Sequence, residues 1–293
     1  MKEVVIVSAV RTPIGKIGGT LKNIEADKLL MHTINGAIEK IKLDKSLIDE
    51  VIIGQAKQST DYPNIARLSL LMAGIPESTP GYTVHRQCAS GMQAILNGMH
   101  QIQLGYSDIV LAGGVESMSS APFYLRNVRY GVGNGNKVLV DPNIESQPKS
   151  QPNDIYGTFN MIDTADIVAK EYKISRKKQD EFALQSQLRA IEAIDTGKFK
   201  DEIIPIKIKA NKKEEIIFDE DEYPRRNTSI EKLNKLRTIS EDGTVTAGNA
   251  SGRNDGASVL VLMSREKAKE LNLKPLVRIM GSEAAGVDPR IMG

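Results

Sequence analysis

With 293 residues, 40 % of them hydrophobic, and a single cysteine, the chain is long enough to bury its own core and has no internal disulfide framework. Its net charge of +2 is not gathered into a tail, tryptophan is absent and aromatics are only 4 %, which argues against a nucleic-acid surface built on stacking. No run approaches the roughly 20 apolar residues of a membrane-spanning helix, and the opening Met1–Ser8 is too short an apolar run for a secretory signal, so the sequence reads as cytoplasmic, with neither membrane nor nucleic acid as partner.

The apolar run Val4–Val10, broken by Arg11-Thr-Pro-Ile-Gly15, predicts a first strand. Val51–Gly54 and Ile109–Ala112 read as short buried strands, the second leading into Gly113-Gly114, where a chain turns at little steric cost. Between them Met92, Ile95, Leu96, Met99 and Ile102 follow the spacing of a helix with one buried face. Cys88 lies at the start of that helix. Helix N-termini favour a thiolate, so Cys88 is a candidate nucleophile, whereas a lone cysteine elsewhere is most simply a small buried hydrophobe.

From Ser119 to Gly157 periodicity gives way to Pro, Asn, Gly, Gln and Ser, which predicts a long ordered insertion. Ser175 to Thr196 reads as a charged amphipathic helix capped by Ser175, with Phe182, Ala183, Leu188 and Ile191 turned inward and its Lys and Arg solvated. Asp201–Tyr223 alternates Ile with charge and fits an exposed strand or hairpin on the same insertion. A strand at Ala257–Met263, a short helix at Ser264–Leu271 and a strand at Leu276–Met280 resume the α/β pattern.

Several site types are excluded by their motifs. Gly15-Lys16 is followed by Ile17 and makes no phosphate-binding loop, Gly131-Val-Gly-Asn-Gly135 lies in a turn-rich stretch, and no His/Cys set has metal-ligand spacing. The segment Gly243–Ala257 alternates small residues with hydroxyl and amide groups. It suits either close approach of backbone to a ligand or a tight crossing of buried chains, and both readings stay open.

Val7-Ser-Ala-Val-Arg-Thr-Pro-Ile-Gly-Lys16, Asn64-Ile-Ala-Arg67, Gln87-Cys-Ala-Ser-Gly91, Gly113-Gly-Val-Glu-Ser-Met-Ser119 and Thr246-Ala-Gly-Asn-Ala-Ser-Gly252 together resemble the motifs of the thiolase family, in thiolase order. The resemblance implies an α/β fold with a layered αβαβα core and an inserted loop domain. On that basis residues 1–119 and 244–273 form the N-terminal half, 120–243 a loop domain that holds coenzyme A, and 274–293 the start of a truncated C-terminal half. It implies that Cys88 carries the acyl group as a thioester, with its own backbone N–H helping to hold the oxyanion. It places Ser251 on the pantetheine arm, Arg225 near the CoA nucleotide, Met161 in a pocket wall, and Ala247 and Gly248 in the CoA-binding segment. Coenzyme A and acetyl-CoA enter as substrates, no covalently bound cofactor or metal is expected, and the full-length form is expected to be a homodimer or homotetramer.

The chain also departs from the family pattern. Thiolases continue for on the order of a hundred residues more. The Asn-Glu-Ala-Phe segment, the Gly-His-Pro histidine and the second cysteine do not occur in these 293 residues. The expectation is therefore an acyltransferase whose isolated chain is not a complete Claisen catalyst, with a CoA-binding fragment or split-gene subunit as the alternative. His85 stands where the family has asparagine and reads as structural. Asn160 and Ile162 replace a His and a Gly beside Met161, and Leu236–Ser240 lacks a Pro-x-Phe. Uncovered apolar surface is expected near Ala257–Met280.

Overall fold

Alternation along β1 (Val4–Arg11) sets the layering, since Val5 and Val7 join one buried cluster while Val4 and Ile6 face the other. The computed structural model describes residues 1–209 and 215–292, so the tip of the expected Asp201–Tyr223 hairpin and the end of the 274–293 segment lie outside the described residues. After β1 come β2 (Gly15–Lys16), α1 (Ala26–Ile41), β3 (Glu50–Gly54), α2 (Ile65–Met72), β4 (Gly81–Val84), α3 (Ser90–Leu104) and β5 (Ile109–Ser117). Then follow β6 (Tyr124–Leu125), β7 (Leu139–Val140), α4 (Pro142–Glu145), α5 (Asn153–Tyr156), α6 (Met161–Glu171) and α7 (Arg176–Asp195). The chain continues through β8 (Ile206–Lys209), β9 (Glu215–Phe218), α8 (Ile230–Asn234), β10 (Asn254–Ser264), α9 (Arg265–Glu270) and β11 (Val277–Arg278).

These elements group into two units. The first comprises Met1–Ser120, Phe199–Tyr223 and Arg253–Glu283, the second Ala121–Lys198, Pro224–Gly252 and Ala284–Gly293. Phe199–Tyr223, expected on the insertion, therefore belongs with the first unit. Arg11 explains why: its Nε binds Glu202 at 2.7 Å, its Nη1 binds Asp221 at 2.7 Å, and its guanidinium lies 5.1 Å from the Phe199 ring centroid. Burial works against the Arg11 charge, but the two carboxylates outweigh it and its pKa is raised. Glu222 adds a second anchor by accepting from the backbone N–H groups of Lys16 and Thr20.

In the first unit, among the described residues, one sheet runs in the order β11-β1-β10-β5-β3-β4, with β2 paired to β10. β3 is parallel to β4 and β5, and β10 is antiparallel to β1 and β5, so β10 closes the sheet from the far end of the sequence. The alternation continues in β3, β5 and β10. Val51, Ile53, Ile109, Leu111, Val259 and Val261 face Leu29, Leu30 and Ile34 of α1 on one side, and Ile52, Val110 and Leu262 face Met99 and Ile102 of α3 on the other. Each such fully buried aliphatic side chain contributes about 1.5–3 kcal/mol. The β8–β9 pair adds Ile206 and Phe218 to the α1 side, and Gly36 of α1 leaves the room that Ile204 fills, 2.7 Å from where a Cβ would stand.

Two expected faces are corrected. Of the expected α3 face, Met99 and Ile102 are buried and Ile95 and Leu96 pack against the same cluster, but Met92 is 65 % exposed, and the face is completed by Ser90, Ala94 and Gly98. Small residues are needed there because a Cβ on Gly98 would sit 3.0 Å from Val110. In α7 both Phe182, 73 % exposed, and Leu188 point outward, while the fully buried residue is Asp180. The apolar surface expected over Ala257–Met280 is confined to Leu276, Val277 and Met280, because β10 is paired on both sides. Among the described residues no helix is long and apolar enough to cross a membrane.

Candidate active site

Cys88 is exposed and lies one residue before Ala89, the N-cap of α3, so it sits in the turn that leads into the helix rather than in the helix itself. That turn begins at the end of β4. His85 Nδ1 accepts weakly from the Gln87 N–H at 3.4 Å. Gln87 adopts φ 46°, in the left-handed region that a side chain disfavours. Ala89 N–H donates to the Arg86 carbonyl, and Ser90 N–H to the Gln87 carbonyl, both at 3.0 Å. The turn is therefore tight and locally bonded, and it presents the thiol outward.

Beneath it lies a seat made of glycine. A Cβ on Gly54, the last residue of β3, would stand 2.1 Å from the Ser90 carbonyl carbon and 2.3 Å from the Gly91 nitrogen. On Gly114 a Cβ would approach the Gly91 Cα to 3.3 Å, and on Gly113 it would meet the Ser258 oxygen at 2.0 Å. Backbone thus rests on backbone between β3 and the start of α3 at Gly54 and between β5 and β10 at Gly113, where only a hydrogen side chain fits, and Gly114 leaves little room beneath Gly91. The rest of the Gly113–Ser119 motif is structural too. Glu116 accepts from the N–H groups of Ala56 at 3.0 Å and Lys57 at 3.1 Å, fixing the exit from β3. Burial pushes the Glu116 carboxyl above its ordinary range, partly offset by those two donors. Ser119 binds buried Asp255 through its N–H at 2.9 Å and through its hydroxyl.

The remaining predicted residues lie in the second unit. Ala247, Gly248 and Ser251 share one loop, with Ala247 and Ser251 exposed. That loop is held by two carboxylates which sequence reading missed. Asp166 of α6 accepts from the N–H groups of Thr244 at 2.7 Å and Val245 at 3.2 Å, and from the Ser240 hydroxyl. Burial alone would raise the Asp166 pKa, but these hydrogen bonds outweigh it and hold the carboxyl below its ordinary value. Asp180 binds Arg176 at 2.7 Å and the Asn249 amide at 3.0 Å, and Asn249 in turn accepts from the Thr246 N–H at 2.7 Å. The Arg176 guanidinium continues to the carbonyls of Leu233 and Leu236. The only signals for these roles were a charged residue within an amphipathic pattern and the Asn of Thr246–Gly252, neither of which names its partner.

Packing also accounts for Gly248, where a Cβ would come within 2.6 Å of both Leu233 and Leu236. Arg225 is exposed, and its backbone N–H donates to Gln187 of α7 at 2.7 Å. Met161 opens α6 behind a capping box in which Asn160 accepts from Ile162 N–H and Asp163 accepts from Asn160 N–H, both at 2.8 Å. Asn160, a departure from the family pattern, thus serves as a helix cap. A cleft of 510 Å³ lies beside Asp166, Lys170, Lys173 and Thr244, and none of the five predicted binding residues lines it.

The thiolase N-terminal domain profile matches residues 4–266. The chain belongs to the thiolase family. A probable acetyl-CoA acyltransferase of Staphylococcus aureus strain COL is 44 % identical over 294 residues, covering 100 % of this chain and 74 % of that protein. The crystal structure of the Bacillus anthracis acetyl-CoA acetyltransferase superposes with a TM-score of 0.94 at 46 % identity, covering 100 % of this chain and 73 % of that one. Human mitochondrial 3-ketoacyl-CoA thiolase gives 0.93 at 39 % identity, covering 99 % and 73 %. The mixed α/β architecture is thus the thiolase fold, and the chain spans about three quarters of the length of these relatives.

Proposed function

We propose that this chain is a thiolase-type acyltransferase that forms or cleaves acetoacetyl-CoA and related 3-ketoacyl-CoA esters through a thioester on Cys88. The observation that carries this reading is the exposed Cys88 turn set at the start of α3, in a chain similar along its whole length to proteins named acetyl-CoA acyltransferase. In the first half-reaction the Cys88 sulfur attacks the thioester carbonyl of acetyl-CoA, the bond from that carbon to the CoA sulfur breaks, and CoA leaves with the thiol proton. The acetyl group stays on Sγ. The Cys88 N–H contributes to the oxyanion site at the start of α3. Ser251, Arg225, Met161, Ala247 and Gly248 are the proposed contacts for coenzyme A. Deprotonation of a second acetyl-CoA needs a base that these 293 residues do not supply from a second cysteine.

The test is intact-mass measurement of the purified chain after incubation with acetyl-CoA, beside Cys88→Ala. One acetyl group is expected on the parent chain and none on the variant. A folded chain that binds CoA and gains no acetyl group overturns the covalent step and favours a CoA-binding subunit.

A further inference from the structure

We propose that Ser90 is the residue that positions Cys88 for reaction, by clamping the turn that carries it. The proposal rests on Cys88 as nucleophile and adds a positioning residue to it. Ser90 is 3 % exposed, so its hydroxyl is not available to a substrate. That hydroxyl accepts from the Arg86 N–H at 2.8 Å and donates to the Gln87 carbonyl at 2.6 Å, so it ties the peptide group before Arg86 to the one that joins Gln87 to Cys88. Between those two bonds lies Gln87 at φ 46°, the one residue of the turn in the left-handed region. A non-glycine residue holds that conformation only where its surroundings impose it. Ser90 supplies the constraint from above, while its own backbone rests on Gly54 below. The serine hydroxyl therefore transfers the rigidity of β3 to the stretch from the Arg86 N–H to the Gln87 carbonyl, directly before the thiol. A looser turn lets Cys88 drift from the N–H groups at the start of α3, and it is proximity to such a helix end that favours the reactive form of the sulfur.

The experiment uses the full 293-residue chain and iodoacetamide, a probe of the thiol that needs no CoA site, followed by intact mass. Ser90→Ala is expected to slow alkylation of Cys88 roughly tenfold, the equivalent of losing one to two ordinary hydrogen bonds. Gln87→Gly added to Ser90→Ala is expected to restore the rate to within about threefold, because glycine holds φ 46° without a clamp. A serine that merely stabilised the fold would move the denaturant midpoint and leave the alkylation rate of the folded chain at the parent value. Alkylation of Ser90→Ala at the parent rate overturns the proposal, and so does loss of reactivity that Gln87→Gly leaves unrepaired. Should Ser90→Ala not fold, amide exchange on the parent chain decides: the Arg86 N–H is protected if Ser90 holds it, and exchange at the rate of an open turn overturns the clamp. Failure of the acetyl-transfer reading appears separately, as a thiol that iodoacetamide modifies and acetyl-CoA does not.

Discussion

The Cys88 turn and the Gly243–Gly252 loop are both short, glycine-containing segments, yet they are held in opposite ways. Around Cys88 every hydrogen bond spans four residues or fewer, and the long-range support is steric, from Gly54 and Gly114. The second loop is held by long-range polar bonds instead, from Asp166 across 78 residues to Thr244 and from Asp180 across 69 to Asn249. A proposed nucleophile such as Cys88 tolerates little displacement and is served by hard backbone contact. A loop proposed to follow a long flexible ligand is served by a few strong bonds that leave its outer face, Ala247 and Ser251, open.

The contrast can be broken at its polar end first. Asp180→Ala leaves Arg176 without its carboxylate and Asn249 with the Thr244 carbonyl as its remaining acceptor, and is expected to cost about 3 kcal/mol in denaturant unfolding while iodoacetamide still modifies Cys88 at the parent rate. Gly54→Ala attacks the steric end. Its methyl cannot share space with the Ser90 backbone, so a loss of about 1–3 kcal/mol is expected, accompanied here by slower alkylation of Cys88. Equal Cys88 reactivity in the two variants would erase the distinction.

A pH titration sharpens the polar side further. The Asp166 carboxyl is depressed in the folded chain, so its contribution is present above the unfolded value of about 4 and is lost as pH falls through the lower folded value. Amide exchange at Thr244 and Val245, corrected for its intrinsic rate, is expected to quicken in that acid window, and Asp166→Asn is expected to remove the dependence. The smallest effect belongs to Phe182→Ser. It changes a residue that sequence periodicity turns inward and the structure turns outward, and is expected to shift stability by less than about 0.5 kcal/mol.

Phe182 and Asp180 show where legibility ended. The strands β1, β3, β5 and β10 were readable as short continuous apolar runs, and the start of α3 was readable from Cys-Ala-Ser-Gly beside an apolar spacing, whereas which strand residues face which side came only with the structure. Met92 misled because α3 packs through Ala94 and Gly98, and a hydrophobic pattern gives weight to large side chains when the contact needs small ones. Asp180 misled because a carboxylate is buried only with partners, and Asn249 stands 69 residues away. The return of Phe199–Tyr223 to the first unit was hidden likewise, since Arg11 finds Glu202 and Asp221 at separations of 191 and 210 residues. Glycines carried the most information. Gly113-Gly114, expected as a turn, lies inside β5, and Gly54, Gly91 and Gly114 prove to be contact points beneath the Cys88 turn.

The place of β10 has a consequence for synthesis. It lies between β1 and β5, yet it leaves the ribosome 137 residues after Ser117, with the whole of Ala121–Lys198 made in between. At about 5–20 residues per second, the facing edges of β1 and β5 wait roughly 7–30 seconds for the strand that fills the gap. During that interval the nascent chain carries two open sheet edges flanked by Val, Ile and Leu, the sort of surface that attracts chaperones or a second nascent chain. Placing the central strand late in the chain makes the first 120 residues dependent on a guest made long after them.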